Sequence, residues 1–272
     1  MFNEFGMTWA QRFEVCLKTI FGSNAARLDS ALNGYVRFAL EGMLLQKKFN
    51  KTREYEAKTY AEAASEVYQN KDYMFGLYLP GILLSHYLWR HHYAQLDYYY
   101  SDFLPLALKH GGKSFFDIGV GSGFYSKEML VNLKGSTGNG FDLSPSSLEY
   151  TVNTLTSYSV AERYTPNLIN IFEVSKTAPF IVNIEVLEHL EDPQSFLNHL
   201  YKMMEPKGLG FISAAITAPN ADHIYQYNNF GEVLHQIEKA GFKVISSRED
   251  RAYEVKKEDE LVPINGVAIV TK

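Results

Sequence analysis

The sequence lacks several features by which functional classes of protein are recognised. Cys16 is the only cysteine among the 272 residues, which excludes an intrachain disulfide and a cysteine-based zinc site. Lysines and arginines form no long run and the formal net charge is -5, so the basic stripe typical of nucleic-acid-binding proteins is missing. The longest mostly apolar run, Phe75–Leu84, is too short to cross a bilayer. A nucleic-acid substrate and a membrane-spanning segment are therefore disfavoured.

The amino terminus shows a further absence. Residues Met1–Phe5 have neither the basic nor the apolar region of a signal peptide, so a cytoplasmic protein is expected. Apolar residues make up 46% and charged residues 21% of the chain, as in ordinary globular proteins. The length suffices for one large domain, or for a catalytic domain with a smaller appendage.

The first 109 residues have the texture of a helical region. Apolar residues recur at three- and four-residue spacings over residues 9–21 and 28–43, which predicts two helices. Asn24 stands where the N-cap of the second helix is expected. The Pro80-Gly81 step is expected to break the chain further on.

From residue 114 onwards, short apolar runs alternate with helical stretches. This alternation predicts an α/β domain with a doubly wound, mainly parallel sheet. The predicted strands are Ser114–Ile118, Gly138–Leu143, Phe180–Ile184, Gly208–Ala214, Phe242–Ser247 and Val267–Thr271. The segment Lys109–Gly112 separates the helical pattern from the alternating strand and helix pattern. We therefore expect a helical domain over residues 1–109 and a cofactor-binding domain over residues 110–272.

The most informative segment is a strand that runs into a glycine-rich turn, Phe115-Phe116-Asp117-Ile118-Gly119-Val120-Gly121-Ser122-Gly123. Glycines at such a turn let the backbone approach a ligand, because no Cβ intervenes. A dinucleotide-binding fingerprint requires a glycine where Phe124 stands, and the carboxylate of Asp117 would repel a pyrophosphate. That carboxylate suits the cationic amino-acid end of S-adenosylmethionine, and Asp142, at the end of the next strand, suits ribose hydroxyls.

This order of acid, glycines and second acid resembles the class I S-adenosylmethionine-dependent methyltransferases. The resemblance covers residues 110–272 and implies a seven-stranded Rossmann-like sheet, preceded here by an all-helical amino-terminal domain. It places Leu143 beside the adenine, with Asn167 or Asn170 as partner of the adenine amino group. It also implies that the methionine and ribose are surrounded by Asp117, Gly119, Gly121, Gly123 and Asp142. Tyr125, just after the glycines, is expected to act as a lid or to contact the cofactor.

A second segment, directly after the predicted strand Phe180–Ile184, carries acidic and imidazole side chains close together, Glu185-Val186-Leu187-Glu188-His189. It resembles the Glu-x-x-Glu-His segment of ubiquinone-pathway O-methyltransferases and of small-RNA 2'-O-methyltransferases. Residues at i, i+3 and i+4 of a helical turn share one face, so Glu185, Glu188 and His189 are expected to converge. His223 stands where the small-RNA enzymes have a fourth ligand. Together the four would bind a divalent cation such as Mg²⁺, which activates an acceptor hydroxyl.

Two alternatives to this metal site remain. Without a metal, His189 or His223 would act as the general base, in the same site as Glu185. Alternatively, the residues orient the cofactor loop or cap the following helix, as in methyltransferases that carry this segment and bind no metal.

The ring-rich stretch Tyr87–Tyr100 allows two roles for the helical region. Its rings either line a pocket for a flat small-molecule acceptor, as in a lid, or form a core or a homodimer interface. His91 and His92 belong to the same stretch. Because adjacent residues of a helix point in different directions, at most one of them is expected to face the site.

Three functions are compatible with the sequence. The first is S-adenosylmethionine-dependent methylation of a small molecule. Since neither the Asn/Asp-Pro-Pro-Tyr/Phe motif of nucleic-acid amino methyltransferases nor a Pro-Cys pair occurs, the remaining acceptors are a hydroxyl, a small-molecule amine and an activated carbon, of which oxygen is favoured. The second is metal-dependent 2'-O-methylation of RNA. The third is a non-catalytic S-adenosylmethionine-binding protein whose helices mediate association.

Overall fold

The computed structural model describes residues 1–255 and 257–272, and its first part is helical. The α-helices of this part are α1 (Phe2–Phe21), α2 (Ala25–Thr52), α3 (Tyr60–Ala63), α4 (Lys71–Tyr73), α5 (Leu79–Leu88), α6 (Arg90–Tyr98) and α7 (Leu104–His110). Five-residue π-helical segments continue α3, α4 and α6, at Ala64–Tyr68, Met74–Tyr78 and Tyr99–Phe103. None of the helices in the described parts of the chain is both long and apolar enough to cross a membrane.

Local signals explain where the helices begin and how closely they pack. Asn24 Oδ1 accepts a hydrogen bond from the backbone N–H of Arg27 at 3.0 Å, so the predicted cap of α2 is confirmed. The expected break at Pro80-Gly81 is wrong, because the π-helical segment Met74–Tyr78 runs directly into α5 and the chain stays helical through Pro80. At Gly81 a Cβ would lie 2.4 Å from Phe38 Cγ, so glycine lets α2 and α5 approach each other.

The second part of the chain forms a sheet flanked by helices. The strands are β1 (Ser114–Ile118), β2 (Thr137–Asp142), β3 (Tyr164–Leu168), β4 (Ala178–Asn183), β5 (Met204–Ile216), β6 (Lys243–Arg251) and β7 (Ile264–Thr271). The helices are α8 (Phe124–Asn132), α9 (Pro145–Ser157), α10 (Pro193–Met203) and α11 (Phe230–Lys239), with 3₁₀ turns at Ala161–Arg163, Ile171–Glu173 and Leu187–His189. All six predicted strands are present, and the structure has a seventh, β3, that the sequence did not predict.

The order of the strands determines where a ligand can bind. The order is β3-β2-β1-β4-β5-β7-β6, with β1 to β5 parallel and β7 antiparallel to both of its neighbours. The order in which successive strands are added reverses between β1 and β4, and such a switch point leaves a crevice at the carboxyl ends of the strands. The loops after β1, β2 and β4 carry the acidic and glycine motifs, so the topology brings these motifs to one edge.

The helical region and the sheet share a hydrophobic core. Side chains from α1, α5 and α6 pack with Phe115, Phe124 and Phe211 in one buried cluster. A second cluster, on the opposite face, joins the sheet to α10 and α11. Helix α6 contacts β6 and β7, so the helices lie over the sheet beside the crevice.

Candidate active site

A cavity of about 1330 Å³ opens at the carboxyl ends of β1, β2 and β4. Its wall combines Gly119, Asp142 and Glu185 from the sheet with Phe38 and Trp89 from the helical region. Pockets for one small ligand usually measure about 300 to 1,000 Å³. The cavity therefore has room for two ligands side by side.

The loop between β1 and α8 brings the backbone to the cavity. Gly119, Gly121 and Gly123 have φ values of 74°, 51° and 73°, in the left-handed region that favours glycine. A Cβ on Gly119 would lie 2.4 Å from Val186 Cγ2, and one on Gly123 would lie 2.8 Å from Thr151 Cα. Gly119 and Gly121 line the cavity, whereas Gly123 lies behind them as the N-cap of α8.

Two acids flank this loop, Asp117 buried and Asp142 partly buried, and both line the cavity. Asp117 Oδ2 accepts a hydrogen bond from the Ser126 hydroxyl, and burial raises the pKa of Asp117 to about 7. Asp142 Oδ1 accepts a hydrogen bond from the backbone N–H of Ser144 at 2.7 Å. Burial raises the pKa of Asp142 to about 6, against the opposing effect of backbone N–H donors. This end of the cavity therefore attracts a cation and hydrogen-bond donors.

The remaining residues expected at the cofactor differ in position. Leu143 and Tyr125 line the cavity, with Leu143 partly exposed and the Tyr125 hydroxyl bound by a side-chain amide. Asn170 also lines it. Asn167 does not, and its amide donates instead to the carbonyl of Gly140 at 3.0 Å. Of the two asparagines, the structure thus brings Asn170 to the site.

Glu185 lies in the loop after β4 and is held by distant residues. Its backbone N–H donates to the carbonyl and hydroxyl oxygens of Ser213, at 3.2 and 3.1 Å. Its Oε1 accepts a hydrogen bond from the Asn265 amide and lies 3.3 Å from Nε2 of His92. Glu185 has a φ of 51°, so it precedes the turn Leu187–His189 without belonging to it. The convergence expected from helical spacing is therefore incomplete.

Glu188, His189 and His223 do come together, with their candidate ligand atoms within 4.8 Å of one another. The pKa of Glu188 is raised well above its usual value, mainly by burial and to a lesser extent by repulsion from the Glu185 carboxylate. His223 Nδ1 lies 2.6 Å from the carbonyl of Ala218, which fixes its N–H there and leaves Nε2 with a lone pair. Burial lowers the pKa of His223 to about 3, so this ring is neutral.

Asp222 is a site residue that sequence reasoning missed. It is fully buried, and its Oδ2 accepts hydrogen bonds from Tyr78 at 2.6 Å and Tyr68 at 2.9 Å. Burial acts to raise its pKa, but the imidazoles of His189 and His223 and the two hydroxyls outweigh this and lower it. His189 Nδ1 lies 3.3 Å from the same carboxylate oxygen. The only available signal was the position of Asp222 directly before His223.

The ring-rich stretch of the helical region divides between core and cavity. Trp89, His91 and His92 line the cavity together with His86, and Trp89 stacks on Phe38 with ring centroids 5.5 Å apart. Other aromatic rings of the stretch are buried in the shared core, namely Tyr87, Tyr93, Tyr98 and Tyr99. His91 and His92 thus both line the cavity, so the expectation that at most one of them would face the site is wrong. Of the two, only His92 lies within ion-pair distance of Glu185.

Comparison with known proteins adds a family and distant relatives. Residues 89–247 match the family model described as a methyltransferase domain. The ubiquinone biosynthesis O-methyltransferase of Rickettsia bellii is 25% identical over 154 residues, which cover 56% of this chain and 58% of that protein. The chain spans about half the length of the curated relatives it matches.

Solved structures share the fold at low identity. The N-methyltransferase NodS of Bradyrhizobium japonicum, in complex with S-adenosyl-L-homocysteine, has a TM-score of 0.57 at 16% identity and covers 75% of this chain and 97% of its own. The (4+2) cyclase SpnF has a TM-score of 0.51 at 9% identity, over 62% of this chain and 79% of its own. These likenesses show the fold alone, and the predicted seven-stranded Rossmann-like architecture is confirmed. The boundary predicted between residues 109 and 110 stays a prediction.

Proposed function

Because the chain belongs to the methyltransferase-domain family, we propose that it transfers the methyl group of S-adenosylmethionine to an oxygen atom of a small molecule. The observation that carries this proposal is a single cavity of about 1330 Å³ with two chemically distinct ends. One end has Asp117, Asp142 and the glycine loop, and the other has carboxyl, imidazole and aromatic groups. A cofactor and an acceptor can therefore meet without intervening bulk water, which direct displacement at a methyl carbon requires.

At the cofactor end, each group has a partner in S-adenosylmethionine. The Asp117 carboxylate would pair with the cationic amino group, and the Asp142 carboxylate would accept hydrogen bonds from the ribose hydroxyls. The side chains of Asn170 and Leu143 would contact the adenine, and Tyr125 would lie beside the methionine chain. Gly119 and Gly121 leave the backbone of the loop open to the ligand.

At the acceptor end, the walls favour a flat molecule with a hydroxyl group. Trp89 lies between Phe38 and His91, in stacked arrangements with centroid distances of 5.5 and 5.7 Å. A hydroxyl must lose its proton during methyl transfer. Three side chains that line this end could take up that proton, namely Glu185, His189 and His223. The name of the Rickettsia bellii relative, an O-methyltransferase, supports oxygen as the acceptor atom.

A cation of the Mg²⁺ type does not fit this arrangement, so we propose transfer without a metal. The four-ligand set implied by the sequence resemblance is not assembled, because Asn265 binds the Glu185 carboxylate elsewhere. Glu188, His189 and His223 offer one carboxyl group and two imidazoles, whereas Mg²⁺ prefers oxygen ligands. We expect methylation to persist in EDTA, and a loss that Mg²⁺ restores would contradict this proposal.

Cofactor binding and methyl transfer are tested separately. Titration calorimetry with S-adenosylhomocysteine should show binding that Asp142→Ala weakens by at least tenfold, while the exposed acid variant Asp29→Ala retains wild-type affinity. Unchanged affinity in Asp142→Ala would refute the cofactor assignment. Incubation with S-adenosylmethionine and a panel of hydroxylated aromatic compounds, followed by mass spectrometry and NMR, locates the methyl group. A methyl group on nitrogen or carbon, or methylation of RNA alone, would contradict the acceptor assignment.

We also propose that α2 mediates self-association. Its exposed apolar side chains repeat at three- and four-residue spacings, at Leu32, Val36, Leu40, Met43 and Leu44. Light scattering after gel filtration should give the mass of a dimer for the wild type and of a monomer for Leu40→Glu. A wild-type mass equal to one chain at micromolar concentration would contradict the proposal.

A further inference from the structure

We propose that His92 of α6 and Glu185 of the loop after β4 form one proton-accepting unit, here called the His–Glu pair, which deprotonates the acceptor hydroxyl. The inference rests on the proposed function, because it names the residues that take up the proton in that reaction. In this arrangement Glu185 is the catalytic residue that touches the acceptor. His92 is a positioning residue that acts through Glu185.

The contacts of His92 determine which nitrogen faces Glu185. The ring is 7% exposed and lines the cavity, with Nε2 at 3.3 Å from Glu185 Oε1. On its other side, Nδ1 lies 3.0 Å from the Ser85 hydroxyl oxygen. Since that hydroxyl donates to the carbonyl of Ile82 at 2.8 Å, its oxygen accepts the Nδ1–H of His92. Nε2 therefore presents a lone pair to Oε1, and this disfavours the charged carboxylate of Glu185.

Glu185 is fixed from the side of the sheet. Its backbone is bound to Ser213 of β5, and its Oε1 accepts a hydrogen bond from Asn265 of β7. These bonds hold Glu185 at a φ of 51°, which residues other than glycine rarely adopt. No described residue forms a hydrogen bond with Oε2, so this oxygen is available to an acceptor hydroxyl in the cavity.

The surroundings of the His–Glu pair carry no compensating charge. His86 of α5 and His91 of α6 are buried, which lowers the pKa of each well below its usual value. Tyr125 of α8 and Glu188 of the turn after β4 are also buried, which raises the pKa of each well above its usual value. His86, His91 and Tyr125 are therefore uncharged near neutral pH, and the raised pKa of Glu188 disfavours its charged form. None of the four groups supplies a positive charge that would oppose the uptake of a proton by the pair.

The strength of the base also favours Glu185 over the neighbouring histidine. Burial raises the pKa of Glu185 to about 7, against the lowering effect of the Asn265 amide. Burial lowers the pKa of His223 to about 3. A general base works best when its pKa lies near the working pH, and at neutral pH this condition holds for Glu185.

The proposed step conserves atoms and electrons. The acceptor O–H bond breaks, and its proton goes to Oε2 of Glu185. The oxygen lone pair forms a bond to the methyl carbon of S-adenosylmethionine. The bond between that carbon and sulfur breaks with its electron pair on sulfur, which gives S-adenosylhomocysteine.

The pH dependence of turnover tests the pair. In the wild type, kcat/KM should rise with pH and level off above about 7, because the carboxylate form is the base. In His92→Gln, an amide N–H replaces the lone pair and stabilises the carboxylate, so the inflection should move down by about one pH unit and the plateau should fall. His91→Gln changes a buried neighbour on the same helix that is not within ion-pair distance of Glu185, and it should keep the wild-type inflection. Glu185→Gln should lose at least about a hundredfold in kcat and still bind S-adenosylhomocysteine.

A second measurement separates failure of the pair from failure of the proposed function. In protein labelled with carbon-13 at glutamate carboxyl groups, the Glu185 signal, assigned through Glu185→Gln, titrates without turnover. If the Glu185 signal titrates near pH 7 and its pKa shifts in His92→Gln, but no acceptor is methylated, the His–Glu pair is supported and the proposed function is refuted. If an acceptor is methylated but the inflection and the signal are the same in His92→Gln, or move equally in His91→Gln, the pair is refuted.

Discussion

The buried Asp117 should make cofactor affinity depend steeply on pH. Its pKa of about 7 in the free protein means that a large share of the carboxyl groups is protonated near neutral pH. The cationic amino group of the cofactor favours the ionised form, so binding should release a proton from Asp117. Affinity is then proportional to the ionised fraction in the free protein.

The expected size of the effect follows from the two pKa values at this end of the cavity. Between pH 7 and pH 5, the ionised fraction of Asp117 falls about fiftyfold. Asp142, with a pKa of about 6, contributes a further factor of about ten over the same range. Above about pH 8 the amino group of the ligand loses its own proton, and affinity should fall again.

Titration calorimetry with S-adenosylhomocysteine measures both the affinity and the proton release. Repeating the titration in buffers of different ionisation enthalpy gives the number of protons released. Asp117→Asn should bind more weakly at pH 7 and lose only about tenfold in affinity by pH 5, because only Asp142 still titrates. If the affinity of the wild type were the same at pH 5 and pH 7, or its pH profile matched that of Asp117→Asn, the electrostatic account of this site would be refuted.

Other predictions concern stability and loop geometry. Lys127→Met should destabilise the protein by about 3 to 5 kcal/mol in chemical denaturation, since it leaves the buried Glu128 carboxylate without its cation. Adding Glu128→Gln should recover part of this loss, and no recovery would count against the pair. Gly123→Ala should lower the melting temperature and abolish cofactor binding, because its Cβ would lie 2.8 Å from Thr151 Cα at a φ of 73°. Gly111→Ala is the control, because a Cβ on Gly111 would meet no atom within 4 Å and the change introduces only backbone strain at a φ of 75°. This variant should retain cofactor binding.

The sequence predicted well which residues meet at the proposed cofactor end of the cavity, because those residues are local in the chain. Asp117 and the glycines belong to one strand and the turn that follows it, and Asp142 ends the next strand. Parallel pairing of β1 and β2 then brings them together without help from distant elements. By contrast, β3 was missed, since Tyr164–Leu168 contains Pro166 and forms the edge of the sheet, where polar residues and proline are tolerated.

The acceptor end was predicted only in part, because its geometry depends on tertiary contacts. The spacing of Glu185, Glu188 and His189 indicated one helical face, but Glu185 has a left-handed backbone and is not part of the group that Glu188 and His189 form with His223. Its partners, His92 and Asn265, are separated from it by 93 and 80 positions in the sequence. No pattern within a short window contains such contacts.

The position of the helical region has a consequence for how the site is assembled. His92 of α6 lies 3.3 Å from Glu185 of the loop after β4, and His86 of α5 lines the same cavity. Bringing three neutral imidazoles into this buried place costs free energy, since burial disfavours their charged forms and leaves Nδ1 of His86 and His91 without partners among the described residues. The shared apolar core, in which α1, α5 and α6 pack on the sheet, offsets that cost. The same packing that holds the helices in place thus fixes the distance between His92 and Glu185. Changes in the core that loosen the helices should therefore lower the rate of methyl transfer before they weaken cofactor binding, since the residues proposed to bind the cofactor belong to the sheet and its loops.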